Sequence, residues 1–257
     1  MTFSEQIIYA MFKPDKYKEI LSLGKKRHVS FIIVMMLVLG IVTFAVPMGA
    51  FVASFGGFET LFSEKLGDIS FKDGELSLDK PFKMSIDYYT ILIDTSVDEI
   101  PNEMLTKDGV AMAIGKKNAR LVYCFNGTYS DYQKIDLNLI VPEGLNNDML
   151  VRLVPAIYAY LVMAFIVQCG SMFIKYSIIS IVLSLLINSY NRAGNLQLTF
   201  GQRYLIAFYG QTFGYILSNF NAALGLLPGG IVSIIAIFIS IGMITKALML
   251  MDPRNNV

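Results

Sequence analysis

The sequence predicts an α-helical membrane protein with four transmembrane helices and a small mixed or mostly β extracytoplasmic domain inserted between spans 1 and 2. Hydrophobic residues make up 54% of the 257 residues and charged residues only 16%, which is typical of integral membrane proteins. Apolar stretches long enough to cross a bilayer lie on both sides of a polar segment. The charged residues are also unevenly distributed along the chain.

Acidic residues are concentrated between the two apolar regions. Residues 1–55 contain six basic and three acidic groups. Residues 56–148 contain nine basic and sixteen acidic groups, and residues 149–257 contain six basic groups and one acidic group. Cytoplasmic segments of membrane proteins carry an excess of Lys and Arg. We therefore expect a multi-pass protein of the cell membrane, with residues 56–148 outside the cytoplasm and both termini inside it.

Residues 1–29 are expected to form a cytoplasmic amphipathic arm. Phe3, Ile7 and Met11 recur at helical spacing until Pro14 interrupts the pattern. Three basic residues then precede the first span: Lys25, Lys26 and Arg27. We interpret them as a topogenic signal and a candidate lipid headgroup anchor, and specific recognition of an anionic lipid is the alternative.

The first predicted transmembrane helix covers residues 30–55. This stretch is uncharged and long enough to cross the bilayer, although it contains Gly40 and Pro47. A cleaved signal peptide fits less well, because the apolar run is too long and the preceding segment is extended and of mixed charge. Basic residues before the span predict that it runs from the cytoplasm outward.

The predicted extracytoplasmic domain, residues 56–148, changes to an alternating pattern. Residues 69–78 indicate two strands joined by an Asp73-Gly74 turn, which is strong hairpin chemistry. Further strands are expected at residues 88–93, 110–114, 120–125 and 135–141, and one helix near residues 99–105. A segment of about 93 residues is large enough for a modest core of its own.

The C-terminal bundle, residues 149–257, begins with a long apolar stretch at about 149–190 that allows two topologies. A hairpin would give five spans, and one long helix crossing once would give four. One crossing keeps Arg192 and Arg203 in the cytoplasm, as the distribution of basic residues requires. A second limb from residue 176 to residue 190 would be only about 22 Å long, short of the ~30 Å hydrocarbon core.

Residues 204–223 and 231–250 are the third and fourth predicted spans. Gly210 and Gly214 have the spacing that allows two helices to approach closely in lipid. Gln211 and Asn219 can add polar contacts between helices. These four residues are the candidate helix-packing positions, and a path for a substrate is the alternative interpretation of the polar groups.

No set of residues indicates catalysis, a cofactor or a metal site. The Asp94-Thr95-Ser96 loop resembles one half of an aspartic protease site, whose chemistry needs a second carboxylate. An aspartate that ends a strand and bonds its own backbone explains this loop better. His28 is the only histidine, so it has no histidine partner for a metal. We expect a protein that is not an enzyme and does not bind nucleic acid.

Two motifs support a family resemblance: Ile69-Ser70-Phe71-Lys72-Asp73-Gly74-Glu75-Leu76 and Ile91-Leu92-Ile93-Asp94-Thr95. Together with the arm, the single span before them and the closing bundle, they resemble the domain-of-unknown-function 1189 family of Firmicute polytopic membrane proteins. Some relatives carry a maltodextrin-utilisation label, and the bundle is distantly similar to Yip-type membrane proteins. The resemblance implies location and architecture, and it supplies no catalytic residues.

Two classes of function are consistent with these features. The first is a non-catalytic bacterial accessory or sensing protein of the membrane, whose extracytoplasmic domain binds a partner protein or an envelope or carbohydrate-related ligand. The alternative is a small transporter or channel component that uses the polar third span. The expected partners are membrane lipids and either a membrane protein or a second copy of the chain.

Overall fold

The computed structural model of the chain describes residues 1–86, 89–105, 108–194, 196–224 and 226–252. The chain divides into two compact units. The helical unit comprises Met1–Met48 and Val162–Val257, and the sheet unit comprises Gly49–Leu161. Residue 88, the first residue of the strand predicted at 88–93, lies outside the described residues.

The helices follow the apolar stretches of the sequence, with short π-helical turns at Ile41–Ala45 and Leu61–Lys65. Their bounds are α1 Phe3–Phe12, α2 Tyr17–Leu21, α3 Lys25–Gly40, α4 Val46–Ser54, α5 Phe58–Thr60, α6 Asn147–Gly194, α7 Phe200–Gly210, α8 Thr212–Leu224 and α9 Gly229–Met251. Because α6 is one helix of 48 residues, the apolar stretch that begins it does not fold back as a hairpin.

The prediction of four transmembrane helices is wrong. Within the described residues, three segments are long and apolar enough to cross a membrane: Lys25–Lys65, Asn147–Gly194 and Gly229–Met251. The predicted third span, residues 204–223, is divided into α7 and α8, and neither helix is long enough by itself. The three long apolar segments place the chain among membrane proteins.

The interruption between α7 and α8 has a physical cause in the carbonyl groups at that point. The Tyr176 hydroxyl donates to the carbonyl oxygen of Phe208 at 3.0 Å, and that oxygen would accept from the Thr212 amide in a regular helix. The Gln211 side chain donates to the carbonyl of Ala207 at 3.0 Å, which also accepts from the Gln211 backbone amide. The Ala207 carbonyl thus keeps its regular backbone bond, and Tyr176 is the side chain that takes the place of a helical donor, which interrupts the ladder of backbone hydrogen bonds.

The N-terminal arm forms from local sequence signals and is fixed by one buried hydroxyl. Thr2 and Glu5 make a capping box at the start of α1. Tyr17, which is 1% exposed, donates its hydroxyl to the carbonyl of Ala10 at 2.8 Å. Burial raises the pKa of the Tyr17 hydroxyl, so this group stays protonated and remains a donor.

The sheet unit contains a two-stranded hairpin and a five-stranded mixed sheet. The hairpin strands are β1 Ile69–Lys72 and β2 Glu75–Leu78, and the sheet strands are β3 Phe82–Ile86, β4 Tyr89–Ile93, β5 Gly109–Ile114, β6 Asn118–Phe125 and β7 Thr128–Asp136, in that spatial order. Every neighbouring pair is antiparallel except β4 and β5, which are parallel. The strands of this unit follow the first long apolar segment and precede α6.

The parallel pair requires a crossover between β4 and β5, and this crossover covers one face of the sheet. Ile100 and Leu105 from the crossover are buried against Leu92, Ala113 and other residues of β4–β6. The helix expected near residues 99–105 is only a single 3₁₀ turn, Asn102–Met104. The expected strand 135–141 is also wrong, because β7 covers Thr128–Asp136 and a second short turn follows it.

Candidate functional site

A cluster of hydroxyl and amide groups fills the interior of the helical unit at the interruption between α7 and α8. Tyr176 is fully buried and donates to Phe208 as described above. Gln211, 4% exposed, donates to the Ser180 hydroxyl at 2.7 Å. The Tyr215 hydroxyl donates to a carbonyl of α6 at 3.0 Å. Each of these groups bonds another protein atom, so the cluster fixes the packing of α6, α7 and α8.

The single histidine belongs to the same interior. His28 is 7% exposed, and its Nδ1 lies 2.9 Å from the Tyr209 hydroxyl. The Tyr209 ring also packs on Phe31, with centroids 4.7 Å apart. This arrangement joins the start of α3 to α7, and it gives His28 a tyrosine as its partner rather than a set of metal ligands.

The two glycines of the predicted packing motif face α9. A Cβ atom built at Gly214 would lie 2.6 Å from the carbonyl oxygen of Ala236 and 2.9 Å from the Ser240 hydroxyl oxygen. A Cβ atom at Gly210 would meet the side chain of Ile244. Only residues without a side chain leave room for this approach, which is the physical basis of the small-residue motif.

The two polar residues predicted beside these glycines have different surroundings. Gln211 reaches α6 through Ser180, as given above. Asn219 is half-buried and donates to the carbonyl of Tyr215, four residues earlier in its own helix, at 2.8 Å. A residue that bonds its own helix adds no contact between helices, so of these two side chains Gln211 is the one that joins helices.

The predicted headgroup anchor lies at the first turn of α3. Lys25, Lys26 and Arg27 are all exposed. Lys25 and Lys26 line a groove that continues along α3 over apolar side chains. The basic residues therefore form the charged end of an otherwise apolar surface.

A second surface of interest is the uncovered face of the five-stranded sheet. Residues that pair directly across a sheet point to the same face. Tyr89 pairs with Val110, which in turn pairs with Tyr123, and Met112 lies in the next row. Phe125 follows two residues after Tyr123 and so shares its face. We call this surface the aromatic sheet face.

The side chains of the aromatic sheet face are exposed to an unusual degree for their type. Tyr89 is 66% exposed, Tyr123 56% and Phe125 63%, and Met112 is 44% exposed. In the register rows of β3–β7, as far as the structure describes them, every side chain on this face is uncharged. The β1–β2 hairpin core covers only the other end of the face, around Ile93.

Sequence reasoning missed this surface, although a signal was present. In residues 121–125 both alternating sets of side chains are apolar, with Leu121, Tyr123 and Phe125 on one side and Val122 and Cys124 on the other. A strand with one solvated face should alternate between apolar and polar residues. The absence of alternation in β6 indicates a strand that needs cover on both faces.

The loop that resembles an aspartic protease is a closed turn. Asp94 is 6% exposed, and its Oδ1 accepts from the Ser96 backbone amide at 3.0 Å and from the Ser96 hydroxyl at 2.6 Å. These are the bonds of an aspartate that stabilises its own turn. The geometry gives Asp94 a structural role.

The described residues contain no group of three His, Cys, Asp or Glu side chains placed to hold a metal ion. Cys124 is buried, and burial raises the pKa of its thiol, which disfavours the reactive thiolate. Of the surfaces described above, the aromatic sheet face and the basic groove on α3 are suited to binding rather than to catalysis.

Comparison with known proteins gives one family. A family model described as "Protein of unknown function (DUF1189)" matches residues 4–250. No curated protein and no solved structure matches the chain.

Proposed function

Because the chain belongs to the DUF1189 family, whose description names no activity, we propose its function from the surfaces of its two units. We propose a non-catalytic accessory or sensing protein of the bacterial membrane whose sheet unit binds a partner protein through the aromatic sheet face. The helical unit anchors it in the membrane. The partner is a second membrane protein or another copy of the chain.

The exposed, uncharged character of the aromatic sheet face carries this proposal. The centres of protein interfaces are enriched in Tyr, Phe and Met and depleted in charged residues. The aromatic sheet face matches that composition, because its exposed side chains lie on the three consecutive strands β4, β5 and β6: Tyr89, Met112, Tyr123 and Phe125. An envelope or carbohydrate-related ligand is less well supported, because such ligands need polar groups beside the aromatic rings.

The alternative of a transporter or channel component has no comparable support. A transport path would need free polar groups in residues 204–223. There, Gln211 hydrogen-bonds to Ser180, and Asn221 hydrogen-bonds to the backbone of Leu227. Groups engaged in this way hold helices and turns in place.

The topology that we propose places both termini in the cytoplasm and residues 56–148 on the outer side. Because α6 returns the chain to the inner side, this topology requires the consecutive short helices α7 and α8, rather than one long span, to carry the chain back across the membrane before α9. The uneven distribution of acidic and basic residues supports it. Within the helical unit, Lys18 and Leu21 of the arm line one groove together with Met251 at the end of α9. The N-terminal arm and the end of the last helix therefore lie at the same end of this unit.

Labelling of single cysteines tests this topology. In a background with Cys124→Ala and Cys169→Ala, an impermeant maleimide on intact cells should label Ser77→Cys in β2 but not Ser22→Cys or Asn256→Cys. The latter two should react only after the membrane is permeabilised. Labelling of Asn256→Cys on intact cells would place the C-terminus outside and contradict the proposal.

Site-specific photo-cross-linking tests the partner surface. A photoreactive phenylalanine at Tyr123 should cross-link to a discrete protein in cells, whereas the same group at Tyr132, which is 82% exposed, should not. Tyr132 is a matched control because it is also an exposed tyrosine, but it is the extra residue at the bulge of β7 and pairs with no residue of β6. A cross-linked species of purified protein at twice 28.7 kDa would identify a second copy as the partner.

A charge introduced into the aromatic sheet face sharpens the same experiment. Met112→Glu should abolish the cross-link from position 123, because an unpaired carboxylate in an apolar contact is costly. Tyr132→Glu should leave that cross-link intact. Equal cross-linking in both variants would show that the aromatic sheet face is not the binding surface.

A further inference from the structure

A shallow, open groove of about 440 Å³ follows the exposed side of α3 at its N-terminal end, and all of its lining residues belong to α3. Its lining combines two cations with apolar side chains and one hydroxyl: Lys25, Lys26, Val29, Ser30, Ile33 and Val34. The basic residues occupy one end of the groove and the apolar residues the other. This order of charge and hydrocarbon matches that of a phospholipid molecule.

The cationic end of the groove lacks a counter-charge from the protein. Lys25 and Lys26 are exposed, and neither belongs to any of the ion pairs found among the described residues. Arg27 is also exposed and adds a third positive charge beside them. Two or three adjacent cations at the membrane edge favour an anionic group such as a phosphate.

The groove as a whole, including its basic end, is nearly as long as one membrane leaflet is thick. Val29 is 54% exposed and Ile33 53% exposed, one helical turn apart on the same side of α3. From Lys25 to Val34 the helix rises about 14 Å, and one leaflet of hydrocarbon is about 15 Å thick. A headgroup held at the lysines would thus leave its acyl chain beside Val29 and Ile33.

We propose that this groove is a binding site for an anionic phospholipid, with the headgroup phosphate on Lys25 and Lys26 and one acyl chain along Val29 and Ile33. The apolar lining distinguishes this ligand from free phosphate, which would gain nothing from it. The site does not depend on the partner surface of the sheet unit. It assigns the basic residues a specific ligand in addition to their effect on topology.

Native mass spectrometry of the full chain in mild detergent tests the proposal. The probes are phosphatidylglycerol and phosphatidylcholine with identical acyl chains. The parent protein should bind phosphatidylglycerol more tightly. Lys25→Gln/Lys26→Gln should weaken that binding about 30-fold, equivalent to about 2 kcal/mol for two lysines, and weaken phosphatidylcholine binding much less, because choline neutralises its phosphate.

The matched control is Lys175→Gln/Lys246→Gln, which removes the same charge from two exposed lysines of the helical unit. This control should change the affinity for phosphatidylglycerol less than threefold. An equal loss of phosphatidylglycerol affinity in both double variants would indicate a general attraction between charges. No loss of affinity in Lys25→Gln/Lys26→Gln would show that these lysines do not hold the headgroup. Either result would overturn the proposal.

Two further measurements test the apolar half of the site. Ile33→Gln should weaken phosphatidylglycerol binding several-fold at an unchanged melting temperature, because Ile33 is exposed and contributes little to packing. Inorganic phosphate should not displace the lipid at equal concentration. Unaltered binding in Ile33→Gln, or displacement by phosphate, would show that the acyl chain does not occupy the groove.

Discussion

Alanine at Gly214 is expected to destabilise the helical unit by about 2 kcal/mol, because overpacking of a close contact costs roughly 1–3 kcal/mol. The new Cβ would lie 2.6 Å from the carbonyl oxygen of Ala236, a backbone atom that cannot rotate away. We expect a melting temperature in mild detergent about 5 °C below that of the parent. Gly210→Ala should destabilise the unit as well, since the new Cβ would meet Cγ1 of the buried Ile244, and a β-branched side chain in a helix has one strongly preferred χ1.

Gly242 in α9 provides the control for this prediction. A Cβ atom there would meet nothing within 4 Å. Gly242→Ala should therefore leave the melting temperature unchanged or raise it, because alanine favours a helix over glycine by up to about 1 kcal/mol. Equal melting temperatures for Gly214→Ala and Gly242→Ala would refute the close contact between α8 and α9.

Loss of Arg120 is expected to have the largest effect in the sheet unit. Its side chain is 8% exposed and donates to Asp131 Oδ1 at 2.7 Å, and to the Ile100 carbonyl and the Asn102 side chain, each at 2.9 Å. Arg120→Met would leave these acceptors without a donor and cost about 3 kcal/mol, the lower end for a broken buried pair because Asp131 is half-exposed.

Hydrogen exchange of the sheet strands measures this loss. Backbone amides of β5 and β6 that exchange through unfolding of the unit should exchange about 100-fold faster in Arg120→Met, because each ~1.4 kcal/mol of lost stability raises the unfolded population about tenfold. Lys134→Met is the control, because Lys134 is exposed and its pairing with Glu99 is a surface contact worth less than about 1 kcal/mol. Similar exchange rates in the two variants would mean that Arg120 does not fix the crossover to β6.

Sequence patterns sufficed where the structure depends on nearby residues. The hairpin of β1 and β2 follows from the Asp73-Gly74 turn, whose two residues adopt the positive φ angles of 51° and 76° that this dipeptide favours. The capped helix α1 and the three long apolar segments are likewise local features. The strands β4, β5 and β6 also lie where short apolar runs predict them, apart from their ends.

Other elements were wrong or missing in the predictions because their determinants are distant in sequence. β3 was not predicted: Phe82, Met84 and Ile86 alternate with polar residues, but only the pairing with β4 shows that so short a stretch is a strand. β7 was placed too late in the chain, since its mostly polar residues give no clear alternation. The lack of alternation in β6 signals a strand covered on both faces, but only the pairing of β4, β5 and β6 places Tyr89 and Tyr123 on one surface, on either side of Val110.

Composition and local pattern by themselves determined that this is a membrane protein with a separate sheet unit, because hydrophobicity, charge and turn chemistry are encoded within short windows of sequence. Only the tertiary structure decided that the predicted third span is two helices. The carbonyl of Phe208 accepts from Tyr176, a residue 32 positions earlier, and His28 meets Tyr209 across 181 positions. Such pairings arise because buried polar groups need hydrogen-bond partners, and the fold supplies these partners from distant parts of the chain. A short window of sequence cannot show which residues will meet.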